Sequence, residues 1–384
     1  MRCNFDQVIN RCGTDSVKWC QYPEGALPLW VADMDFRSPE PVIQALRERI
    51  DHGVFGYGVE PPELREVITE RLKRLYDWEV YPEALVFLPG VVPGFNLACQ
   101  ALARPGDGIL VQTPAYPPIL WAPENAQCTR QEAALSQDSE GRFVINLQEF
   151  EAAISERTRV FIFCNPHNPV GRVFTVDELQ AMAEICRRHN VIICSDEIHC
   201  DFVYPGHKHV PIATLDEEVG QRLITLMAPS KTYNIAGLHF AVAIITNEEL
   251  RERFCASRKG TMSHPDVLGY VAALAAYREG QPWLGQVLRY LEGNRDFVSA
   301  YVRDLLAGVS LSPPEGTYLA WLDCRQAGIP GNAHQFFLET AGVALNDGRD
   351  YGDVGGGFLR LNFGCPRATL EEALARMERA LKLR

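Results

Sequence analysis

Several short segments of this chain carry residue types suited to bond-making chemistry, each directly after an apolar run. PSKTYNIAGL puts Lys231 behind LITLMA, where an amine could form an imine or take up a proton. SDEIH follows VIIC and sets Asp196 just past the run, a carboxylate able to hold a cation. NPHNPVG, from Asn165 to Gly171, is dense in side-chain amides that donate hydrogen bonds. TPAYPPIL carries Tyr116 on a proline-stiffened loop, and PGVVPGFNLACQAL joins small backbone to a helix start, the arrangement that receives a phosphate. Taken singly, each has a plain alternative: a solvated surface lysine, a helix-capping aspartate, an ordinary turn, a packed tyrosine, a simple strand-to-helix connection.

The elements that would position these residues are legible in the apolar pattern. LVFL (85–88), GILVQ (108–112), RVFIFC (159–164), VIICSD (191–196), LITLMA (223–228) and AVAIIT (241–246) alternate with segments of helical period, which predicts a mostly parallel sheet covered by helices. Thr175 and Glu178 read as a capping box, with Leu179, Met182, Ala183 and Cys186 on one face of the helix that follows. After Gly280 come a long amphipathic stretch from about 283 to 306, EGTYLAWLDC, a short helix and a last helix. That last helix is expected to open on Thr369 and Glu372 as a second capping box. The division expected is a large α/β domain over 41–280 and a smaller α+β domain built from 1–40 plus 281–384.

Ligands of open parallel sheets sit at the carboxyl ends of the strands, where all of these segments fall. Jointly they are the set that pyridoxal 5′-phosphate (PLP) needs: a lysine for the Schiff base, a carboxylate for the pyridine nitrogen, a donor to the phenolic oxygen, a stacking ring and a phosphate cradle. In this order PGVVPGFN, TPAYPP, NPHNPVG, SDEIHCDF, APSKTYNIAGL and FLRLNFGCP resemble the fold-type I PLP enzymes of the class I/II aminotransferase kind. With LPLWVADMDF near the start, and with DEIH, the chain resembles their MalY/PatB branch, the cystathionine β-lyases or C–S lyases.

The resemblance implies a role for each matching position. Lys231 corresponds to the Schiff-base lysine, Asp196 to the pyridinium partner, Asn168 to the donor toward the phenolic oxygen and Tyr116 to the stacking ring. Gly90, Val91 and Val92 match the phosphate-binding turn, with the Ser230 hydroxyl assisting. Arg360 in FLRLNFG corresponds to the arginine that holds the substrate α-carboxylate, a task suited to a bidentate guanidinium. Tyr57 in FGYG corresponds to a catalytic and substrate-binding tyrosine that reaches into a neighbouring subunit, which implies a homodimer with shared sites. Two positions depart from the common aminotransferase pattern. His199 stands where a tyrosine is usual, leaving the second donor to the phenolic oxygen unassigned. His239 stands where a phosphate-binding arginine is usual, shifting the expected grip toward backbone amides and Ser230.

The implied activity is β-elimination from L-cystathionine or a related S-substituted cysteine; the alternative is transamination by the same residues. A regulatory protein-binding role, also found in this branch, is a third reading, with no docking surface legible. The formal charge of −12 opposes binding to phosphate backbones, so no nucleic-acid partner is expected. No apolar stretch reaches the roughly 20 residues of a membrane span, and MRCNFDQVIN lacks a signal-peptide core. Twelve scattered cysteines without a CxxC suggest reduced thiols and a cytoplasmic protein. His199, Cys200, Cys194, Cys164 and the pair His207 and His209 form no recognised ligand spacing, and no metal is expected.

Overall fold

Short runs of Val, Ile, Leu and Phe satisfy a strand that is buried on both faces. In the computed structural model, which describes residues 3–384, each of the six runs named above is such a strand. Numbered along the chain, the large sheet contains β1 (Leu85–Leu88), β2 (Gly108–Thr113), β3 (Thr129–Gln137), β4 (Phe143–Ile145), β5 (Thr158–Cys164), β6 (Ile192–Asp196), β7 (Leu223–Met227) and β8 (Ala241–Ile244). Their order across the sheet is β1-β8-β7-β6-β5-β2-β3-β4. Pairing is parallel from β7 through β3 and antiparallel at both edges. The mostly parallel sheet expected from the sequence is present, with an apolar cluster on each of its faces. β3 and β4 were not anticipated: TRQEAALSQ, next to last in the sheet beside the three-residue edge strand β4, buries only Ala133 and Leu135, so it lacks the apolar run of the central strands.

Alternation along β5 supplies the two sides of the core. Phe161 and Phe163 enter one apolar cluster, while Val160, Ile162 and Cys164 enter the other, beneath the helix Val91–Leu102. The helix Val176–Arg188 opens as expected, with Thr175 Oγ1 accepting from the Glu178 N–H and Glu178 Oε2 accepting from the Thr175 N–H. The last helix corrects the expectation. It spans Arg367–Lys382 and starts at Pro366, whose carbonyl accepts the amides of Thr369 and Leu370, so Thr369 lies inside the first turn and caps nothing. Glu372 pairs instead with Arg376 at 2.7 Å. The apolar face read from the sequence, Leu370, Ala373, Leu374, Met377 and Leu381, is buried.

A smaller antiparallel sheet follows the unbroken helix Gln281–Leu305: β9 (Leu319–Asp323), β10 (Asn346–Asp347) and β11 (Phe358–Asn362), in the order β9-β11-β10. The N-terminal segment touches both sheets' surroundings. Leu27–Pro28 pairs in parallel with Val343–Ala344, and the Asn234 side chain, after β7, holds the backbone of Met34 and Phe36. No helix among the described residues is long and apolar enough to cross a membrane.

Candidate active site

The strand ends of the large sheet open into a cavity of about 600 Å³. Its wall includes Gly90, Val91, Val92, Tyr116, Asn168, Asp196, His199, Ser230, Lys231, His239 and Arg360, so all but one of the residues named from the sequence converge there. The exception is Tyr57. It stands fully exposed in the irregular segment 53–60, away from the cavity wall of its own chain.

Lys231 lies in the one-turn helix Pro229–Thr232 at the end of β7, and its Nζ donates to the Ala32 carbonyl at 2.7 Å. Burial lowers its pKa to about 8, helped by the positive charge of Arg360 and opposed by Asp33 and Asp196. The next residue, Thr232, donates to Asp201 Oδ2 at 2.7 Å, and Asp201 pairs with the buried Arg71. Asp196 ends β6, and its Oδ1 accepts the Ile198 N–H at 3.1 Å. Burial raises its pKa to about 7; the Ile198 amide and Lys231 pull it down, and neighbouring Glu197 pushes it up. Glu197 is itself fixed by Ser195 Oγ and by His209 Nε2, at 2.9 and 2.8 Å.

Arg360 is carried by β11, directly opposite Asn346 on β10. It is buried, and its Nη atoms donate to Asn168 Oδ1 (3.0 Å), Asn346 Oδ1 (2.6 Å) and the Trp30 carbonyl (2.7 Å), while the guanidinium lies over the Tyr351 ring. All three acceptors are neutral, and among the described residues no carboxylate pairs with this cation. Its Nε is buried without a partner. His199 is likewise buried, edge-on to Tyr318, with Nδ1 unpartnered, and burial together with Lys231 and Arg360 holds its pKa well below the ordinary value. The imidazole is therefore neutral.

Sequence reasoning did not assign roles to Trp30, Ala32, Asn346 and Tyr351. WVADMDF was noticed as a motif, but the atoms it contributes are carbonyls, which residue type does not reveal. Asn346 and Tyr351 acquire their roles only through the pairing of β10 with β11.

The donor set fits pyridoxal 5′-phosphate. The helix Val91–Leu102 begins at Gly90 with no side chain capping its amides and no acidic residue in its first turn, as an anionic phosphate requires. Ser230 adds a hydroxyl on the same wall, while His239 is exposed at the rim in a left-handed conformation. Residues 26–377 match the model of the family described as aminotransferase class I and II. The chain belongs to this family. Within it, the chain is 39% identical to cystathionine beta-lyase PatB of Bacillus subtilis, over 98% of this chain and the whole of that protein. Among solved structures, OvoB is 46% identical with a TM-score of 0.94, over 98% of this chain and 99% of that one. Cystalysin from Treponema denticola, whose crystal structure contains a pyridoxal 5′-phosphate cofactor, is 32% identical with a TM-score of 0.95, over all of this chain and 99% of that one. PLP is the cofactor of this family, and Lys231, Asp196, Asn168, Tyr116, Ser230 and the helix start at Gly90 are the residues here that would hold it.

Proposed function

We propose that the protein is a PLP-dependent carbon–sulfur β-lyase that cleaves L-cystathionine or a related S-substituted cysteine to a thiol, pyruvate and ammonia. The observation that carries this reading is Arg360: a buried guanidinium without a carboxylate partner, sharing a cavity with a lysine whose pKa is about 8. That pair suits an α-amino acid. The similarity to PatB, which is named a cystathionine beta-lyase, favours elimination over transfer.

PLP, when bound, supplies an aldehyde for the substrate amine and a protonated ring that accepts the electron pair released at Cα. Arg360 binds the α-carboxylate. Lys231, as the free amine, removes the Cα proton and holds it at Nζ, then returns it to the thiolate as the Cβ–S bond breaks. Asp196 would keep a positive charge on the ring nitrogen, and Asn168, whose Oδ1 accepts from Arg360, would donate to the phenolic oxygen. Water completes the balance by releasing pyruvate and ammonia.

On this reading residues 41–280 form the cofactor domain, and 1–40 with 281–384 the smaller domain bearing Arg360. The protein works in the reducing cytoplasm as a homodimer, in which Tyr57 enters the partner's cavity. Support for the dimer is the exposed run Val54, Phe55, Tyr57 and Val59, an apolar edge unusual for a free surface. The deciding experiment is product analysis over cystathionine, cystine, S-alkyl cysteines and common amino acids, with and without a 2-oxo acid. Pyruvate from cystathionine without acceptor supports the lyase; amino transfer to the 2-oxo acid with no pyruvate replaces it with an aminotransferase.

A further inference from the structure

Part of the cavity wall is Trp30, Val31 and Ala32, the head of a segment, 30–36, that has no regular secondary structure. Its carbonyls are bound by a series of side chains. Trp30 O accepts from Arg360, Val31 O and Asp33 O accept from Asn362, and Met34 O and Phe36 O accept from Asn234. Ala32 O accepts from both Lys231 Nζ and Tyr318 Oη, at 2.7 and 2.8 Å. The two cations on which the proposed chemistry depends are thus both seated on this one loop.

The other side of the loop is held by four charges that the chemistry does not use. Lys18, with no exposed side-chain surface, places Nζ 2.7 Å from Asp35 Oδ2 and 3.4 Å from Asp33 Oδ1. Arg11 makes a fork on Asp33 at 3.0 and 2.7 Å and reaches Asp35 Oδ1 at 2.6 Å. Trp19 Nε1 donates to the same Asp35 oxygen, and Trp30 Nε1 donates back to the Lys18 carbonyl. A buried ammonium is costly unless its partners hold it in good geometry, so Lys18 tolerates few positions of Asp33 and Asp35.

We propose that Lys18 is a positioning residue for the base: through Asp33 and Asp35 it fixes the loop so that the Ala32 carbonyl takes one hydrogen of the Lys231 amine and its lone pair points in one direction. The same register puts the Trp30 carbonyl on Arg360, so one charge cluster sets both groups that meet the substrate, although Ala32 and Lys231 are 199 residues apart in sequence. The proposal rests on Lys231 acting as the base, as in the function proposed above.

The charged and titratable groups facing Lys231 are Arg360, Asp196, Asp33, His199 and the Tyr318 hydroxyl, which shares the Ala32 carbonyl. Asp33 is the one that Lys18 touches, and Lys18 helps hold its carboxyl below the ordinary range. Without Lys18, the negative charge of Asp33 is less neutralised and binds the Lys231 proton more firmly. Loss of Lys18 should therefore slow proton abstraction and also move its acid limb to higher pH.

The test uses Lys18→Met in the full-length, PLP-loaded enzyme. The probe is exchange of the Cα proton of L-alanine in D2O, followed by NMR. That step precedes both elimination and transfer and needs no leaving group, so it is independent of which reaction the enzyme completes. Misplacing the base should lower the saturated exchange rate by about tenfold to a hundredfold, change the alanine KM far less, and shift the acid limb upward, with partial rescue by Lys18→Arg. In the apoprotein, amide hydrogen exchange should quicken over 30–36 and remain unchanged in β5. A variant that melts at lower temperature yet keeps the wild-type rate and acid limb would overturn the proposal. Should Lys18→Met fail to fold, Arg11→Gln, at a partly exposed position, loosens the same two carboxylates, and an unchanged rate and acid limb there overturns it equally. If the wild type leaves the alanine proton in place, the base assignment fails, and amide exchange in the apoprotein still decides whether Lys18 fixes the loop.

Discussion

Asp196 makes opposite contributions to stability with and without the cofactor, and Asp196→Asn should expose this. In the protein alone, burial raises its pKa from 3.8 to about 7. The folded state then holds a proton that the unfolded chain has released, so stability falls as pH rises from about 4 to 7 and the penalty is complete above 7. A shift of about 3 units corresponds to ~4 kcal/mol. Asparagine imitates the protonated carboxyl and so escapes that penalty, which is already net of the attraction to Lys231 and of the Ile198 bond; an imperfect fit of the amide to the Ile198 N–H costs ~1 kcal/mol. At pH 8 the variant apoprotein should therefore be more stable than wild type by ~2 to 3 kcal/mol, and at pH 4 no more stable. For a chain of this length that is a rise in Tm of about 3 °C. With PLP bound, a cationic ring nitrogen restores the carboxylate's partner, and the order should reverse while turnover falls by at least about a hundredfold. Melts of apo and loaded forms at pH 4 and 8 read all four states. An apoprotein difference that does not depend on pH would refute the reasoning.

Lys231→Ala should keep its fold and lose turnover by several orders of magnitude, and borohydride should fix the cofactor to the wild-type peptide containing Ser230 and Lys231; a label on Lys208 or Lys259 would displace the site. Because burial and Arg360 lower the Lys231 pKa to about 8, the fraction of free amine grows as pH rises, and Cα proton exchange should climb through pH 7 and level off above about 8. Arg360→Lys loses the fork that grips a carboxylate, which should raise KM by about 10- to 100-fold, measured by steady-state kinetics on the best substrate. Tyr57→Ala should bind PLP normally and lose activity, yet mixing it with Lys231→Ala under subunit exchange should regain part of that activity, because each hybrid would contain one intact site; no recovery would place Tyr57 outside the partner's cavity.

What could be read in the residues depended on whether a side chain alone carries the information. LVFL, RVFIFC and LITLMA announce strands because both faces are buried, whereas β3 buries only Ala133 and Leu135, shows a largely polar face and passed unnoticed. Thr175 and Glu178 form their capping box because nothing else offers that helix a start. Thr369 and Glu372 have the same spacing, but Pro366, with its fixed φ, begins the helix earlier and takes their place. Lys231, Asp196 and Asn168 follow strands directly, so topology alone delivers them to one edge. The acceptors that tune them, the Trp30 and Ala32 carbonyls, lie about 200 to 330 positions away in the chain and are backbone atoms, without any residue signature.

Those carbonyls also explain how the cavity can hold so much suppressed charge. Arg360 is surrounded by amide and carbonyl oxygens, Lys231 rests on one more carbonyl, His199 is neutral, and Asp196 has only one amide as a firm partner. A carboxylate placed beside Arg360 would have given a tighter fold and left nothing for a substrate to neutralise. Neutral acceptors orient the guanidinium without cancelling its charge, so an α-carboxylate gains the full interaction in a site of low dielectric. The same reasoning covers the helix start at Gly90, where a capping side chain would have satisfied the amides that a phosphate needs. Binding of each anionic group and of the ring cation beside Asp196 then relieves a cost already paid in folding, which is why the loop that supplies the neutral acceptors is fastened from behind by Lys18 and Arg11.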